Sequence, residues 1–85
     1  MNNTYQIYLI SDSTGETLDR IFLAIKAQFK NIDYKIHTYS FTRTENQILK
    51  ILSEGEKKTN PIILYSIVDS SLAKYLANTS HEKKI

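Results

Sequence analysis

Apolar residues fall into three short blocks along the chain, and each block has the pattern of a β-strand. Residues 7–10 form an unbroken apolar run, which favours a strand over residues 5–10 that is buried on both faces. Residues 34–41 are less purely apolar, because both faces of the predicted strand carry polar residues, so they predict a strand at an edge of the sheet. Pro61 opens the strongest apolar run, residues 62–68, which predicts a third strand in the centre of the sheet.

A stripe of apolar residues at helical spacing follows each strand. The first stripe predicts a helix over residues 14–30, followed by a short connector at residues 31–33. The second predicts a helix that ends near Gly55, and the third predicts a helix that fades through residues 78–80. The apolar positions of the three stripes are Leu18, Ile21, Phe22, Ile25 and Phe29, then Ile48, Leu49, Ile51 and Leu52, and finally Leu72, Ala73 and Leu76.

Small polar residues mark the predicted start of each helix. Ser13 and Glu16 have the spacing of a capping box, so Ser13 is predicted to be the N-cap of the first helix. Thr42 and Glu45 have the same spacing before the second helix. At residues 69–70, either the aspartate or the serine is predicted to cap the third helix.

The order of the predicted elements is βαβαβα. Connections of this length join parallel strands, and such crossovers are right-handed. The chain is therefore predicted to form one α/β domain over residues 1–85, a three-layer Rossmann-like half with a parallel three-stranded sheet. Ligands of such sheets bind beyond the carboxyl ends of the strands, where the turns at residues 11–15, 42–44 and 69–71 should meet.

The polar residues of these turns are the candidates for binding an anion or a substrate. A helix N-terminus favours phosphate or carboxylate, and Gly15 would let a ligand approach the backbone closely. In the alternative interpretation, the small residues only cap helices, Arg43 is solvated, and Asp12 supports its turn rather than acting as a base. No residue is singled out as catalytic. The candidates are Asp12, Ser13, Thr14, Gly15, Arg43, Thr44 and Asp69.

Composition narrows the classes of function. The net charge is only +2 and the lysines are dispersed, which argues against a nucleic-acid partner. The chain has no cysteine, and its two histidines, His37 and His81, have no second ligand at a useful spacing, so no metal site is predicted. No apolar run is long enough for a membrane span and no signal-peptide pattern is present, so a cytoplasmic protein without a membrane partner is expected.

Three sequence blocks resemble a known protein family. Residues 10–17 (ISDSTGET), 41–47 (FTRTENQ) and 65–72 (YSIVDSSL) are similar, in order and spacing, to the regulatory proteins of pyruvate, phosphate dikinase and of phosphoenolpyruvate synthase. The resemblance implies a bifunctional serine/threonine kinase and phosphorylase. Such proteins phosphorylate a threonine of the dikinase or of the synthase with ADP, and they remove the phosphate by phosphorolysis with inorganic phosphate, releasing pyrophosphate.

One part of the family pattern is missing from this chain. Full-length members are much longer, and they carry a glycine-containing phosphate loop, similar to a P-loop, further downstream. Here the only glycines, Gly15 and Gly55, lie too far apart for a G-x-x-x-x-G-K-[ST] motif. We therefore expect an N-terminal fragment that holds no cofactor and is inactive alone, with ADP and inorganic phosphate as substrates of the full-length proteins.

Two other hypotheses stay open. The chain is either a stand-alone module that binds an anion or docks on the dikinase, or a truncated gene product without activity. An incomplete fourth strand would leave one edge of the sheet unprotected, and such an edge favours self-association.

Overall fold

A parallel sheet of three strands forms the centre of the computed structural model, which describes residues 4–28 and 32–85. The strands lie in the order β2-β1-β3, and β1 pairs in parallel with both neighbours. Tyr8 lies opposite His37 on one side and opposite Ile63 on the other. The predicted parallel sheet, with the second strand at its edge, is confirmed. The strands are β1 (Tyr5–Ser11), β2 (Tyr34–Tyr39) and β3 (Pro61–Ser66).

The central strand is β1 and not β3. Within the described residues β3 pairs with β1 alone, so the prediction of a central third strand is wrong. Residues 7–10 of β1 are at most 2% exposed, whereas every residue of β3 keeps some exposure. An apolar run predicts a buried strand without saying which strands lie beside it, so the pattern could not set the order. β2 and β3 also end two residues earlier than predicted, at Tyr39 and Ser66.

One helix follows each strand, and the helices cover both faces of the sheet. α1 covers one face, where its Leu18 and Phe22 pack on β1. α2 and α3 cover the other face, where the larger buried cluster includes Tyr8 and Ile10 of β1. This arrangement confirms the predicted three-layer α/β half. The helices are α1 (Glu16–Lys26), α2 (Glu45–Glu56) and α3 (Ser70–Glu82).

The first helix is shorter than its apolar stripe predicts. α1 ends at Lys26 rather than at residue 30. The predicted end of the helix, Phe29 of the stripe and the first connector residue fall at positions 29–31, outside the described residues. Ile21 also departs from the stripe. Its side chain is 45% exposed, whereas Leu18 and Phe22 of the same stripe are buried.

The third helix is longer than predicted. α3 continues to Glu82 instead of fading through residues 78–80. Leu76 is buried against the sheet, and Lys83 just beyond the helix forms an ion pair of 3.3 Å with Glu56 of α2. Packing against the sheet therefore overrides the weak helix propensity of the Asn-Thr-Ser segment.

Only one of the three predicted N-caps is confirmed. Asp69 caps α3, because its Oδ1 accepts a hydrogen bond of 3.0 Å from the N–H of Leu72. α2 begins two residues later than the predicted capping box. Its N-cap is Thr44, which accepts from the N–H of Gln47 at 3.2 Å, and the Gln47 side chain completes the box. Thr42 cannot serve as the cap because it is buried in the preceding turn.

Ser13 is not the N-cap of α1, so the predicted capping box with Glu16 is wrong. The N-cap is Gly15, which has a φ of 85° and no side-chain cap. Ser13 is held outside the helix because its N–H donates to the Oγ of Ser11 at 3.1 Å. The left-handed backbone at the cap is one that glycine adopts without strain, which explains the residue type at this position.

Candidate functional site

The three turns that follow the strands meet at the carboxyl edge of the sheet, as expected. The N–H of Thr42 donates to the carbonyl of Ser11 at 2.8 Å, which joins the β2–α2 turn to the end of β1. The N–H of Asp12 donates to the carbonyl of Ser66 at 3.3 Å, which joins β1 to the end of β3. The backbone therefore fixes all three turns relative to one another.

Asp12 links the three turns through its own polar groups. Its Oδ2 accepts a hydrogen bond of 2.7 Å from the N–H of Val68 in the β3–α3 turn. Its carbonyl accepts a bond of 3.0 Å from the Nε of Arg43 in the β2–α2 turn. A carboxylate that accepts a short backbone bond supports the turn, and this was one of the two roles predicted for Asp12.

Arg43 is held at the mouth of the site by two contacts of its guanidinium. Beyond its bond to Asp12, the guanidinium lies 5.2 Å from the centre of the Phe41 ring, within the range of a cation–π contact. The Arg43 side chain is exposed. Its Nη groups make no hydrogen bond within the described residues, so they are in a position to bind an incoming acceptor.

An open pocket lies between these residues and the first turns of α2 and α3. Three carboxylates and one guanidinium surround it, so the local charge is negative. The carboxylates disfavour a bare anion and favour hydroxyl or cationic groups, whereas Arg43 and the N-termini of the two helices act in the opposite direction. The pocket is lined by Asp12, Arg43, Glu45, Val68, Asp69, Ser71 and Leu72.

Three of the seven predicted binding residues line this pocket, and four do not. Asp12, Arg43 and Asp69 contribute to it, whereas the Thr44 side chain is used in capping α2. The residues at 13–15 do not line it, although they form the motif with the strongest resemblance.

The residues at 13–15 pack instead against the end of β2, on the α1 side of the sheet. The Oγ of Ser40 donates to the carbonyl of Thr14 at 3.1 Å, and the N–H of Phe41 donates to the carbonyl of Ser13 at 2.9 Å. Gly15 is buried there, with the Oγ of Ser40 3.5 Å from the position that a Cβ would occupy. The positive φ alone explains why position 15 is a glycine. The expected close approach of a ligand to this backbone stays a prediction.

Four lining residues were not among the sequence candidates. Glu45 and Ser71 lie in the first turns of their helices. Including the first helical turn after each predicted cap among the candidates would have identified both residues. Val68 ends the apolar run that predicts β3, so its burial was the natural expectation. The structure instead leaves it 89% exposed at the rim of the pocket, next to Leu72.

Two tyrosines on the α2 side of the sheet have pKa values that differ from the ordinary value of 10.0. Burial raises the pKa of Tyr8, and the charge of Glu54 adds to this effect. Burial also raises the pKa of Tyr39, whose hydroxyl donates to Glu54 at 3.1 Å. The Tyr8 hydroxyl is buried without a hydrogen-bond partner among the described residues, which is a costly arrangement.

The histidines lie away from the pocket. His37 stacks on Tyr8 with ring centres 4.6 Å apart, and its Nε2 is 2.7 Å from the Oε1 of Gln6. His81 lies in the last turn of α3. Over residues 4–28 and 32–85, no three histidine, aspartate or glutamate side chains are grouped so that they could hold a metal ion. Nor does that part of the chain contain a helix with the length and apolar character that crossing a membrane requires.

The chain is similar to other proteins along almost its whole length. A family model described as kinase/pyrophosphorylase matches residues 7–85. A pyruvate, phosphate dikinase regulatory protein of Pelagibacter ubique (strain HTCC1062) is 73% identical over 85 residues, which is 100% of this chain and 31% of the relative. A protein of the same name from Geotalea uraniireducens (strain Rf4) is 42% identical over 80 residues, covering 94% of this chain and 29% of the relative.

A more distant relative gives the same picture. The protein of Listeria innocua serovar 6a that is named pyruvate, phosphate dikinase regulatory protein 2 is 40% identical over 79 residues, covering 92% of this chain and 29% of the relative. The chain thus spans about three tenths of the length of the curated relatives it matches. No solved structure matches it.

Proposed function

The chain belongs to the kinase/pyrophosphorylase family, and from this membership we propose that it forms one part of a regulator of pyruvate, phosphate dikinase. The observation that carries the proposal is the family match over residues 7–85, supported by the name of the 73% identical relative. The complete regulator would phosphorylate a threonine of the dikinase with ADP and remove that phosphate with inorganic phosphate. The relatives' names favour the dikinase over phosphoenolpyruvate synthase as the target.

In this proposal the pocket at the carboxyl edge contacts the target protein and not the phosphates of the nucleotide. Its carboxylates, at Asp12, Glu45 and Asp69, would repel a nucleotide diphosphate more strongly than Arg43 alone would attract it. They suit a polypeptide segment that brings hydroxyl and amide donors. Arg43 would then bind an acceptor of that segment, such as a backbone carbonyl.

Nucleotide chemistry is assigned to the part of the regulator that lies outside this chain. Two glycines at positions 15 and 55 provide no glycine-rich phosphate loop, and Gly15 serves the entry to α1. The relatives are about three times as long as this chain, so they have room for a separate nucleotide site. The 85-residue chain is accordingly expected to be inactive alone. A cytoplasmic location follows from the proposed use of ADP.

The proposal is tested with a chimera in which this chain replaces the matching segment of the Pelagibacter ubique protein. The chimera is mixed with pyruvate, phosphate dikinase and ADP, and phosphothreonine on the dikinase is measured by mass spectrometry. We expect phosphorylation by the chimera and none by the 85-residue chain. A folded chimera that leaves the dikinase unmodified would contradict the proposal, and so would activity of the chain alone.

A second candidate function is docking on the dikinase without catalysis. It is favoured by the side chain of Val68, which is 89% exposed beside Leu72 at the rim of the pocket. Leu72 is partly buried and packs on the core, so Val68 is the exposed apolar side chain that a partner would cover here. Binding of the 85-residue chain to the dikinase, measured by calorimetry with no nucleotide present, would support docking. The anion-binding module at residues 11–15 stays a prediction, and titration with phosphate or ADP would test it through the NMR signals of residues 13–16.

A further inference from the structure

The two edges of the sheet differ in a way that bears on what else binds this protein. The β2 edge is protected by polar and charged side chains, with Lys35 and Thr38 exposed and His37 half-buried. Such residues are what natural edge strands carry to prevent pairing with other chains. β3 carries no charged residue, and apart from Pro61 at its start and Ser66 at its end it is the apolar run Ile-Ile-Leu-Tyr. β3 therefore has the composition of an internal strand while lying at an edge of the described sheet.

Hydrogen-bonding groups of β3 point away from the sheet. The N–H groups of Gln6 in β1 and of Asp12 just after it donate to the carbonyls of Asn60 and Ser66, at 3.1 and 3.3 Å. Even-numbered residues on the β3 side therefore face β1. Because strand residues alternate in direction, the N–H and C=O groups of Ile63 and the other odd-numbered residues face outward.

A groove runs beside this edge, between β3 and the outer side of α3. Its lining combines apolar side chains with the polar residues Ser80 and His81, and the exposed fraction of Tyr65 within it is 42%. A strand added at this edge would therefore gain backbone hydrogen bonds and cover apolar surface at the same time. The lining includes Pro61, Ile63, Tyr65, Leu76, Ala77 and Ile85.

We propose that the β3 edge binds a further parallel strand, supplied by the part of the full-length polypeptide that lies outside this chain. The inference rests on the proposed function, in that both treat the chain as one part of a longer regulator. The length of the relatives indicates the source of this strand. This chain spans only 31% of its Pelagibacter ubique relative, so a full-length protein has further residues that could pair with the β3 edge. A strand on the same polypeptide has a local concentration of about 1 mM, so it outcompetes a second copy of the chain at lower concentrations.

Backbone amide exchange tests the proposal without any need for activity. The free 85-residue chain is compared with the chimera described above. We expect the amides of Ile63 and Tyr65 to exchange about 100-fold more slowly in the chimera than in the free chain. Leu64, which faces β1, is the internal control and should be protected in both proteins.

The outer edge of β2 provides the matched control in the same samples. The N–H of Tyr5 donates to the carbonyl of Asp33 at 2.9 Å, so the even-numbered residues of β2 face outward. The amides of Ile36 and Thr38 should therefore exchange rapidly in both proteins. If the amide of Leu64 exchanges rapidly in the free chain, that chain is unfolded. The test is then the comparison, within the chimera, of exchange at the β3 edge with exchange at the β2 edge.

Two results would overturn the inference. One is exchange at Ile63 and Tyr65 in the chimera that is as rapid as at Ile36 and Thr38. The other is protection of the β3 edge in the free chain that rises with protein concentration, since this would make a second copy the occupant. A chimera that is protected at β3 but does not phosphorylate the dikinase would contradict the proposed function alone.

A pair of proline variants adds a measurement of stability. Tyr65→Pro removes an outward N–H from β3, and Thr38→Pro removes one from β2, while neither touches a bond to β1. In the chimera, Tyr65→Pro should lower the melting temperature by several degrees more than Thr38→Pro does. The difference between the two variants should be smaller in the free chain. An equal difference in both proteins would contradict strand addition at β3.

Discussion

The carboxyl edge of the sheet has two sides that differ in chemistry. On the α1 side, residues 13–15 and Ser40 fill space with small groups and hydrogen-bond to one another. On the side of α2 and α3, Arg43 and Asp69 face an open pocket with exposed polar and apolar groups. On the side that resembles the family most strongly in sequence, hydrogen bonds tie the backbone to the end of β2 and Gly15 is buried, although the side chains of Ser13 and Thr14 stay exposed. The open pocket lies across the sheet.

Asp12 is the residue that connects the two sides. It follows β1 within the ISDSTGET block, but its carboxylate and carbonyl reach the turns that precede α3 and α2. The difference between the two sides shows that most residues of a recognisable motif can lie outside a site. In this block, Asp12 alone lines the pocket. Substitutions at Arg43, Gly15 and Asp12 test this division between the two sides of the carboxyl edge.

Arg43→Ala is expected to have the largest effect, and to act on activity. Loss of a charged hydrogen bond to the target is worth about 2 kcal/mol, which corresponds to a fall of about 30-fold in kcat/KM for the chimera. Arg20→Ala, on the exposed face of α1, is the control and should leave kcat/KM unchanged. Equal rates for the two variants would remove Arg43 from the site.

Gly15→Ala tests the α1 side and should act on stability. The positive φ of 85° would strain an alanine by about 1–2 kcal/mol, so the free energy of unfolding should fall by that amount in urea titrations. Gly55→Ala is the control, because that glycine lies within α2 and its added Cβ would approach Tyr8 no closer than 3.4 Å. It should be neutral or stabilising. A loss at Gly55 equal to that at Gly15 would refute the explanation by backbone strain.

Asp12→Ala should destabilise the fold by about 1 kcal/mol, because the N–H of Val68 loses its acceptor. Asp12→Asn keeps an oxygen at the same position and should cost less than half as much. Chemical denaturation measures both. Equal losses for the two variants would mean that the charge of Asp12, and not its hydrogen bond to Val68, stabilises the turns.

The smallest expected effects concern the tyrosines under α2. Tyr8→Phe removes a buried hydroxyl that lacks a partner in the described part of the chain, so it should stabilise the fold by up to about 1 kcal/mol. Tyr39→Phe removes the bond to Glu54 and should destabilise it by about 0.5 kcal/mol. The two variants should therefore differ in sign when their unfolding is measured at pH 7.

The raised pKa values of both tyrosines also predict how stability depends on pH. The folded state favours the neutral phenols, so their contribution is fully present below the ordinary pKa of 10.0 and is lost as pH rises through the raised values. The free energy of unfolding should thus fall above pH 10, and less steeply in the Tyr8→Phe variant. An unchanged slope in that variant would contradict the raised pKa of Tyr8.

Much of the fold could be predicted from the sequence, because its local signals agree with the final structure. The apolar runs and stripes predicted all six elements, and Asp69 was one of the two residues predicted to cap the third helix. The strand order was harder to predict, since residues 62–68 are apolar enough for a central strand. Caps were also misplaced, because Ser13 and Thr42 match the local pattern but are held by contacts with other turns.

The site was predicted only in part, for a related reason. Convergence of the turns follows from parallel topology, and it brought Asp12, Arg43 and Asp69 together. Which side of the sheet each turn faces depends on the backbone of the turn, for example on the left-handed Gly15. Residues 13 and 14, just before Gly15, lie against the end of β2. Hydrophobic periodicity does not encode the backbone conformation of this turn.

The most direct test of this account is an NMR map of the contact with the target. The ¹⁵N-labelled 85-residue chain would be titrated with unlabelled pyruvate, phosphate dikinase, and the backbone signals followed residue by residue. The account predicts that the signals of Arg43, Val68 and Leu72 shift or broaden first, while those of residues 13–15 stay unchanged. Changes confined to residues 13–15, or no change at any residue, would contradict it.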